Sequence, residues 1–377
     1  MTPVVQLLRD LVALPSVNPE LLPAGDPRAG EHRVADFLVA TGAKAGLTVE
    51  TREVFLGRSN VFIRLTPSGP VKHRIVLAPH MDTVGGDNLD QLLKPEIRNG
   101  RLYGRGACDT KGCVAAMLTA VLDTARSTQR PNETEIVFIG LIDEEVKQRG
   151  SRAVAASGFE ADLAIVGEPT QLKVITAHKG DVWLWLETKG KAAHGARPEL
   201  GDNAVHRMAK VVDLLETKYA QALKKRKHPL LKHGTINVGS IQGGFQPNIV
   251  PAHCTISIDR RTLPGETETS VRRELTAFFK KAGVQVKLAK GKGVPCLALE
   301  TNHKLPLVQE FMKLNGQTKP IGVDYFCDAA VLAQSGIPSI VFGPGHIAQA
   351  HTGDEWISLA SLERGTALLT RFLKSLP

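Results

Sequence analysis

The sequence predicts an α/β protein, strands alternating with helices, with a second α+β unit inserted into it. Three observations carry that expectation. At 377 residues the chain exceeds the usual span of one hydrophobic core, so two packed units are expected. Three short apolar runs, 74–78, 135–142 and 162–166, pass directly into His, Asp or Glu, as buried strands do when they deliver polar groups at their C-terminal ends. From about 180 to 291 the pattern changes to strand (VWLWLETKG), long helix (NAVHRMAKVVDLLETKYAQAL), two strands (TINVGSIQGG, AHCTISIDRR) and helix (ETSVRRELTAFFKKAG).

Taken in order, residues 2–14 carry apolar side chains at mostly helical spacing and stop at Pro15. A second helix is expected over 31–46, closed by Gly46, followed by strands at 48–55 and 60–65. After the inserted unit, short strands and helices resume, and IPSIVFGPG at 337–345 reads as a strand entering a glycine loop just before His351. The expected partition is therefore 1–179 and 293–377 for the first domain and 180–292 for the insert.

Composition excludes several classes of function. With 42% hydrophobic, 5% aromatic and 23% charged residues, the chain is neither disordered nor fibrous. Part of the +9 formal charge lies in the run Lys224, Lys225, Arg226 and Lys227, which a solvated helix end explains. No helix-turn-helix, zinc-finger or RNA-binding pattern accompanies the charge, so no nucleic-acid partner is expected. Cys108, Cys113, Cys254, Cys296 and Cys327 are odd in number and scattered, which fits reduced thiols in a cytoplasm. No signal-type start and no long apolar run is present, so neither secretion nor membrane insertion is expected.

The chemistry is carried by a set of oxygen and nitrogen donors near strand ends and glycine turns: His80, Asp109 in GRGACDTKG, Glu145 in DEE, Glu168 in GEP and His351 in QAHTGDEW. Zinc accepts such donors, and a paired site needs a carboxylate to bridge its ions. Each residue alone is ambiguous: a His-x-Asp is commonly a hydrogen-bonded structural pair, and DEE a solvated turn. No Gly-x-Ser-x-Gly elbow, Walker loop or Rossmann fingerprint supports a rival chemistry.

Taken in order and context, these segments resemble the zinc metallopeptidase family that includes glutamate carboxypeptidase, aminoacylase, acetylornithine deacetylase and succinyl-diaminopimelate desuccinylase. The resemblance implies a zinc-peptidase-like catalytic domain with a mixed central sheet flanked by helices, and a ferredoxin-like inserted domain that dimerises and acts as a lid. It implies two Zn2+ per chain, with Co2+ or Mn2+ as substitutes. His80 and Glu168 would hold one ion, Glu145 and His351 the other, and Asp109 would bridge them across a cis peptide to Thr110. Glu144 would be the general base, Asp82 an orienting carboxylate, and His194 an oxyanion stabiliser given across a homodimer. Asn248 and Arg260 match positions that hold a substrate carboxylate in some relatives, although Arg261 is an equal candidate. Gly343, in FGPGH, would offer a backbone amide beside the substrate. Lys179 sits where relatives carry a substrate-facing residue, and a structural salt bridge is equally open. Met81 and Cys108 are expected to pack rather than ligate.

Glutamate at position 168 and the tail GPGHIAQAHTGDEW look most like deacylases, and among those like acetylornithine deacetylases. The expected reaction is hydrolysis of a linear amide that releases acetate from an N-acetylated basic amino acid such as acetylornithine. Succinyl-diaminopimelate desuccinylation, a dipeptide or glutamate-type carboxypeptidase, and an inactive binding homologue are the alternatives.

Overall fold

The computed structural model describes residues 1–289 and 294–377, so the expected boundary between 292 and 293 lies outside the described residues. The chain divides into two compact units. One comprises Met1–Thr176, Thr301–Ile321 and Cys327–Pro377, and the other Ala177–Glu300 with Gly322–Phe326.

The larger unit is built on a mixed sheet. Its strands run in the order Thr48–Phe55, Arg58–Leu65, Thr134–Gly140, His73–Pro79, Leu163–Gly167, Ser339–Val341, and then the start of Ile175–His178. The four strands from Thr134–Gly140 to Ser339–Val341 are mutually parallel, and their neighbours on both sides are antiparallel. Thr134–Gly140 and Leu163–Gly167 are buried at every position, which is why they read as continuous apolar runs rather than alternating ones. Parallel strands place their carboxyl ends along one edge of the sheet, and that edge receives the ligand-type residues.

Helices cover the sheet. Pro3–Val12 packs Val4, Leu8 and Leu11 inward, and His32–Lys44 ends before Gly46, whose φ of +73° suits a residue without Cβ. Lys111–Ala125 is buried almost all round, because the helices Pro3–Val12 and Leu359–Ser375 pack on it while its other side meets the sheet. The sequence does not announce two features. Residues 96–98, 101–103 and 356–358 form a small separate sheet, and Leu359–Ser375 forms one long helix of 17 residues. The strand expected over 337–345 is confined to Ser339–Val341, since Pro338 and Pro344 bracket it and neither has an N–H to give a ladder.

The smaller unit follows a β-α-β-β-α-β path. Its four strands lie in the order Thr235–Gly243, His253–Thr262, Gly180–Lys189, Lys287–Ala289, all antiparallel, with the helices Ala204–Leu214 and Glu268–Lys281. This is the ferredoxin-like arrangement. The single long helix expected over 203–223 is interrupted by a π-helical turn at Leu215–Tyr219 before continuing as Ala220–Lys225. Alternation along His253–Thr262 sends Cys254, Ile256 and Ile258 into a core with Leu184, Leu186, Met208 and Phe279. The basic run 224–227 is exposed at that helix end, as expected, and Arg226 pairs with Glu274 at 2.6 Å.

Candidate metal centre

Three parallel strands and two loops deliver the cluster. His80 follows Pro79, the last residue of its strand; Glu144 and Glu145 lie just past Thr134–Gly140; Glu168 follows Gly167. Asp109 precedes the helix Lys111–Ala125 in the loop GRGACD, and its peptide bond to Thr110 is cis. His351 comes from the loop before Trp356–Ser358 and has a φ of +63°.

Asp109 lies between two donor groups. Its Oδ1 is 3.2 Å from His80 Nε2, and its Oδ2 is 3.4 Å from His351 Nε2. His80 Nε2 is 3.9 Å from Glu168 Oε1, and His351 Nε2 is 3.1 Å from Glu145 Oε2. Among the described residues, His80, Asp109 and Glu168 form one group whose donor atoms lie within 4.8 Å of one another, and Asp109, Glu145 and His351 form another. Two imidazoles and three carboxylates, one of them shared, fit a pair of divalent cations. Glu145 Oε1 is buried with no hydrogen-bond partner among the described residues, an unmet bond that a cation satisfies.

The electrostatics agree with this reading. Burial raises Glu168 and Glu144 well above the usual carboxylate range, with like-charge repulsion added at Glu144 by Glu168 and at Glu168 by Asp109. Burial pushes Glu145 up to about 7 against the opposing hydrogen bond from His351. His80 moves the other way: burial would lower its basicity, but Asp109 and Asp82 outweigh that and raise it well above the ordinary imidazole value. Buried carboxylates crowded together are costly unless positive charge sits among them.

Residues 76–375 match peptidase family M20/M25/M40. The chain belongs to that family. It is a metal-dependent hydrolase of amide bonds. It is 31% identical to the acetylornithine deacetylase of Edwardsiella ictaluri over 98% of this chain and 96% of that one. Its fold is similar to that of a Staphylococcus aureus tripeptidase, with a TM-score of 0.80, 21% identity, and coverage of 99% of this chain and 97% of the other. A Bacillus subtilis dinuclear metal-binding peptidase from the M20 family shares the fold at a TM-score of 0.70 and 14% identity, covering 99% of this chain and 97% of that one.

Other residues singled out in this M20 chain fall in different places. Asp82 is fully buried beside His80, its Oδ1 3.4 Å from Nδ1, and it accepts the main-chain N–H groups of Glu144 at 3.0 Å and Glu145 at 3.2 Å. His194 and Asn248 are neighbours in the smaller unit: both are exposed, and the Gly195 N–H donates to the Asn248 carbonyl at 2.7 Å. Met81 and Cys108 are buried packing residues. Lys179 pairs with Asp324 at 2.7 Å.

Two expectations need correction. Arg260 is fully buried, and its guanidinium donates to both Glu266 oxygens at 2.9 and 3.0 Å, so it is not free to grip a substrate carboxylate. Arg261 is the partly exposed one of the pair, held by Asp259 at 2.9 Å. Gly343 does not offer its amide to a ligand, because that N–H donates to Thr170 Oγ1 at 3.1 Å. Glycine is needed there for space: a Cβ would collide with Cys113 Sγ and lie 2.6 Å from the Glu168 carbonyl oxygen.

Two buried carboxylates escaped the motif reading. Glu355 Oε1 accepts the N–H groups of Cys108 at 2.8 Å and Asp109 at 2.9 Å, and Oε2 accepts from Gly106 at 3.0 Å and Arg105 at 2.7 Å. Its position four residues after His351 was the available signal. Asp328 is pushed up to about 7 by burial, accepts from Ser151 Oγ at 2.5 Å, and its Oδ2 has no hydrogen-bond partner among the described residues. Beside it Cys327 is buried, which raises its thiol well above the ordinary range.

Proposed function

We propose that this protein is a deacetylase that releases acetate from an N-acetylated basic amino acid, N-acetylornithine foremost, with a pair of zinc ions as its native cofactor. The observation that carries this reading is the 31% identity to an acetylornithine deacetylase over nearly both chains. His80, Asp109 and Glu168 would hold one ion, and Asp109, Glu145 and His351 the other. When bound, the ions supply Lewis-acid polarisation of a carbonyl and a nucleophile at neutral pH.

The remaining steps belong to the chain. Glu144, half-buried with its carboxyl group raised by burial and by Glu168, takes a proton from the attacking water at its carboxylate. It returns that proton to the leaving nitrogen as the C–N bond breaks, giving acetate and the free amine. Asp82 holds the main chain of Glu144 and Glu145 and so keeps the base beside the donor groups. His194 stabilises the developing oxyanion from a second copy, with Asn248 beside it to receive the substrate carboxylate. Arginine biosynthesis in a cytoplasm is the setting this activity implies. Among the described residues no helix is long and apolar enough to cross a membrane.

The homodimer is supported by the smaller unit itself. Thr235–Gly243 is an edge of its sheet, with Ile241 and nearby Phe245 exposed at 54% and 87%. An edge strand of that length with apolar neighbours is a surface that proteins ordinarily pair or cover. We assign residues 180–292 to dimerisation.

The test is acid release from N-acetylornithine and N-succinyl-diaminopimelate, side by side, on zinc-loaded and chelator-treated protein. Metal-dependent acetate release supports the reading. Succinate release alone makes the protein a desuccinylase, cleavage only of dipeptides makes it a carboxypeptidase, and ion uptake without any turnover makes it a binding homologue.

A further inference from the structure

The acidic turn that carries Glu144 and Glu145 is tied to the N-terminal segment by a side chain that no metal-ligand motif marks. Asn18 is fully buried. Its amide nitrogen donates to Asp82 Oδ2 at 2.8 Å and to Asp143 Oδ1 at 3.0 Å. Its side-chain carbonyl accepts the Glu20 N–H at 3.1 Å, and its own N–H donates to the Thr83 carbonyl at 2.9 Å. Both protons of the amide are therefore committed to carboxylates, and the backbone behind it is fixed.

Each of those carboxylates holds part of the centre. Asp82 accepts the N–H groups of Glu144 and Glu145, and its carbonyl oxygen and carboxylate both face His80 Nδ1. Asp143 sits at a φ of +66°, a conformation a residue with a Cβ adopts only when its surroundings hold it. Its N–H donates to Glu31 Oε1 at 3.2 Å, and its carboxylate receives Arg149 Nε at 2.5 Å and lies 3.2 Å from Arg58. Arg58 in turn donates to Glu31 through Nε at 2.7 Å. Asp82 and Asp143 thus converge on one neutral donor. Without it, Arg58 and Arg149 still offset the charge of Asp143, but the bridge from that carboxylate to Asp82 is lost.

We propose that Asn18 is a positioning residue of the metal centre. By bridging Asp82 and Asp143 it locks His80, Glu144 and Glu145 into one constellation, and so sets metal affinity and turnover while touching neither ion nor substrate. This rests on the metal-centre reading above, although not on the choice of substrate.

Three substitutions separate donor from shape. Asn18→Asp keeps the outline and replaces the donor by a third carboxylate, Asn18→Leu keeps the bulk without polarity, and Asn18→Ser leaves one donor for two acceptors. Zn2+ affinity is measured by competition with a chromophoric chelator, alongside kcat, KM and thermal unfolding of the metal-free protein. Partners behind metal ligands ordinarily change affinity or activity by about 10–100-fold, and Asn18→Asp is expected to weaken Zn2+ binding within that range. kcat falls with it while KM stays within about threefold, as for a change that spares substrate binding. Asn18→Leu follows, and Asn18→Ser loses least.

A folded Asn18→Asp with wild-type Zn2+ affinity and kcat overturns the proposal, since a residue that only fills space tolerates its isostere. If Asn18→Asp does not fold, Asn18→Ser decides: weaker Zn2+ binding supports the role, and unchanged binding removes it. The chelator measurement needs no substrate. Wild-type protein that binds two ions and cleaves no acylated amino acid ends the deacetylase reading and leaves Asn18 to be judged on affinity. Wild-type protein that takes up no ion ends both.

Discussion

Glu355 accepts the main-chain N–H of Asp109 at 2.9 Å, so the carboxylate shared by the two donor groups is held by a residue four positions from His351, which faces the same carboxylate. The same side chain neutralises buried Arg105 at 2.7 Å. Glu355 therefore joins the two loops that supply Asp109 and His351, and does so within the core rather than at the surface.

Removing it should be costly. Glu355→Ala leaves the Arg105 charge buried without its counter-ion and strands the N–H groups of Gly106, Cys108 and Asp109. Breaking a buried pair from one side costs about 3–5 kcal/mol. Denaturant unfolding of the metal-free protein is expected to show a loss of that size. Glu355→Gln, which still accepts two hydrogen bonds, should lose clearly less. Equal losses for the two variants would deny the charge its role.

Gly343→Ala should disturb Glu168 through packing. The added Cβ collides with Cys113 Sγ and presses on the Glu168 carbonyl oxygen at 2.6 Å. Overpacking of this kind costs about 1–3 kcal/mol. The variant is expected to bind metal more weakly because the main chain carrying Glu168 must shift. Adding Cys113→Ala removes one of the two collisions and should restore stability in part, which a double-mutant cycle measures. Full additivity would show that the Sγ contact does not matter.

Much of this was legible in the sequence, for a definite reason. His80, Glu145 and Glu168 follow apolar runs that are buried on both faces, so the strand and its polar end were read together. Glycine and proline around Asp109 and His351 marked loops. The spacing could not reveal the partners of main-chain N–H groups. Glu355 and Glu31 accept from backbone far away in sequence, Asn18 bridges two distant carboxylates, and no local pattern encodes such bonds. Arg260 was misjudged for the same reason: adjacent to Arg261 in sequence, it lies on the opposite face of its strand, where Glu266 engages it. Period-two alternation decides which arginine meets solvent, but it does not say which face is the core until the sheet is assembled.

Acid should weaken the protein through His178. This imidazole is fully buried, its Nδ1–H donates to the Lys179 carbonyl at 2.8 Å, and its Nε2 has no hydrogen-bond partner among the described residues. Burial lowers its pKa to about 4. The unfolded chain protonates this group near 6.5, so between about pH 6.5 and 4 the unfolded state binds more protons and stability falls as pH falls. The full contribution is present above that window and amounts to roughly 3 kcal/mol on the usual conversion of pKa difference to free energy. His178→Gln, which cannot titrate, should lose stability less steeply across the window. Parallel pH profiles for the two proteins would refute the assignment.

Glu144 offers the sharpest division between binding and chemistry. It is absent from both donor groups, yet its backbone is held by Asp82 at 3.0 Å and its carboxyl group is raised by burial and by Glu168. A group that ligates no ion but moves the proton should be dispensable for metal uptake and indispensable for turnover. Glu144→Gln preserves the shape and the main-chain hydrogen bond while abolishing proton transfer. Its kcat is expected to fall by about 10²–10⁴, the range for loss of a general base, with two ions still bound per chain. Glu145→Gln should behave differently, losing affinity for one ion first, because His351 pairs with Glu145 at 3.1 Å in the second donor group. Should both variants lose metal alike, the division of labour between the adjacent glutamates would be wrong, and Glu144 would have to be counted among the ligands.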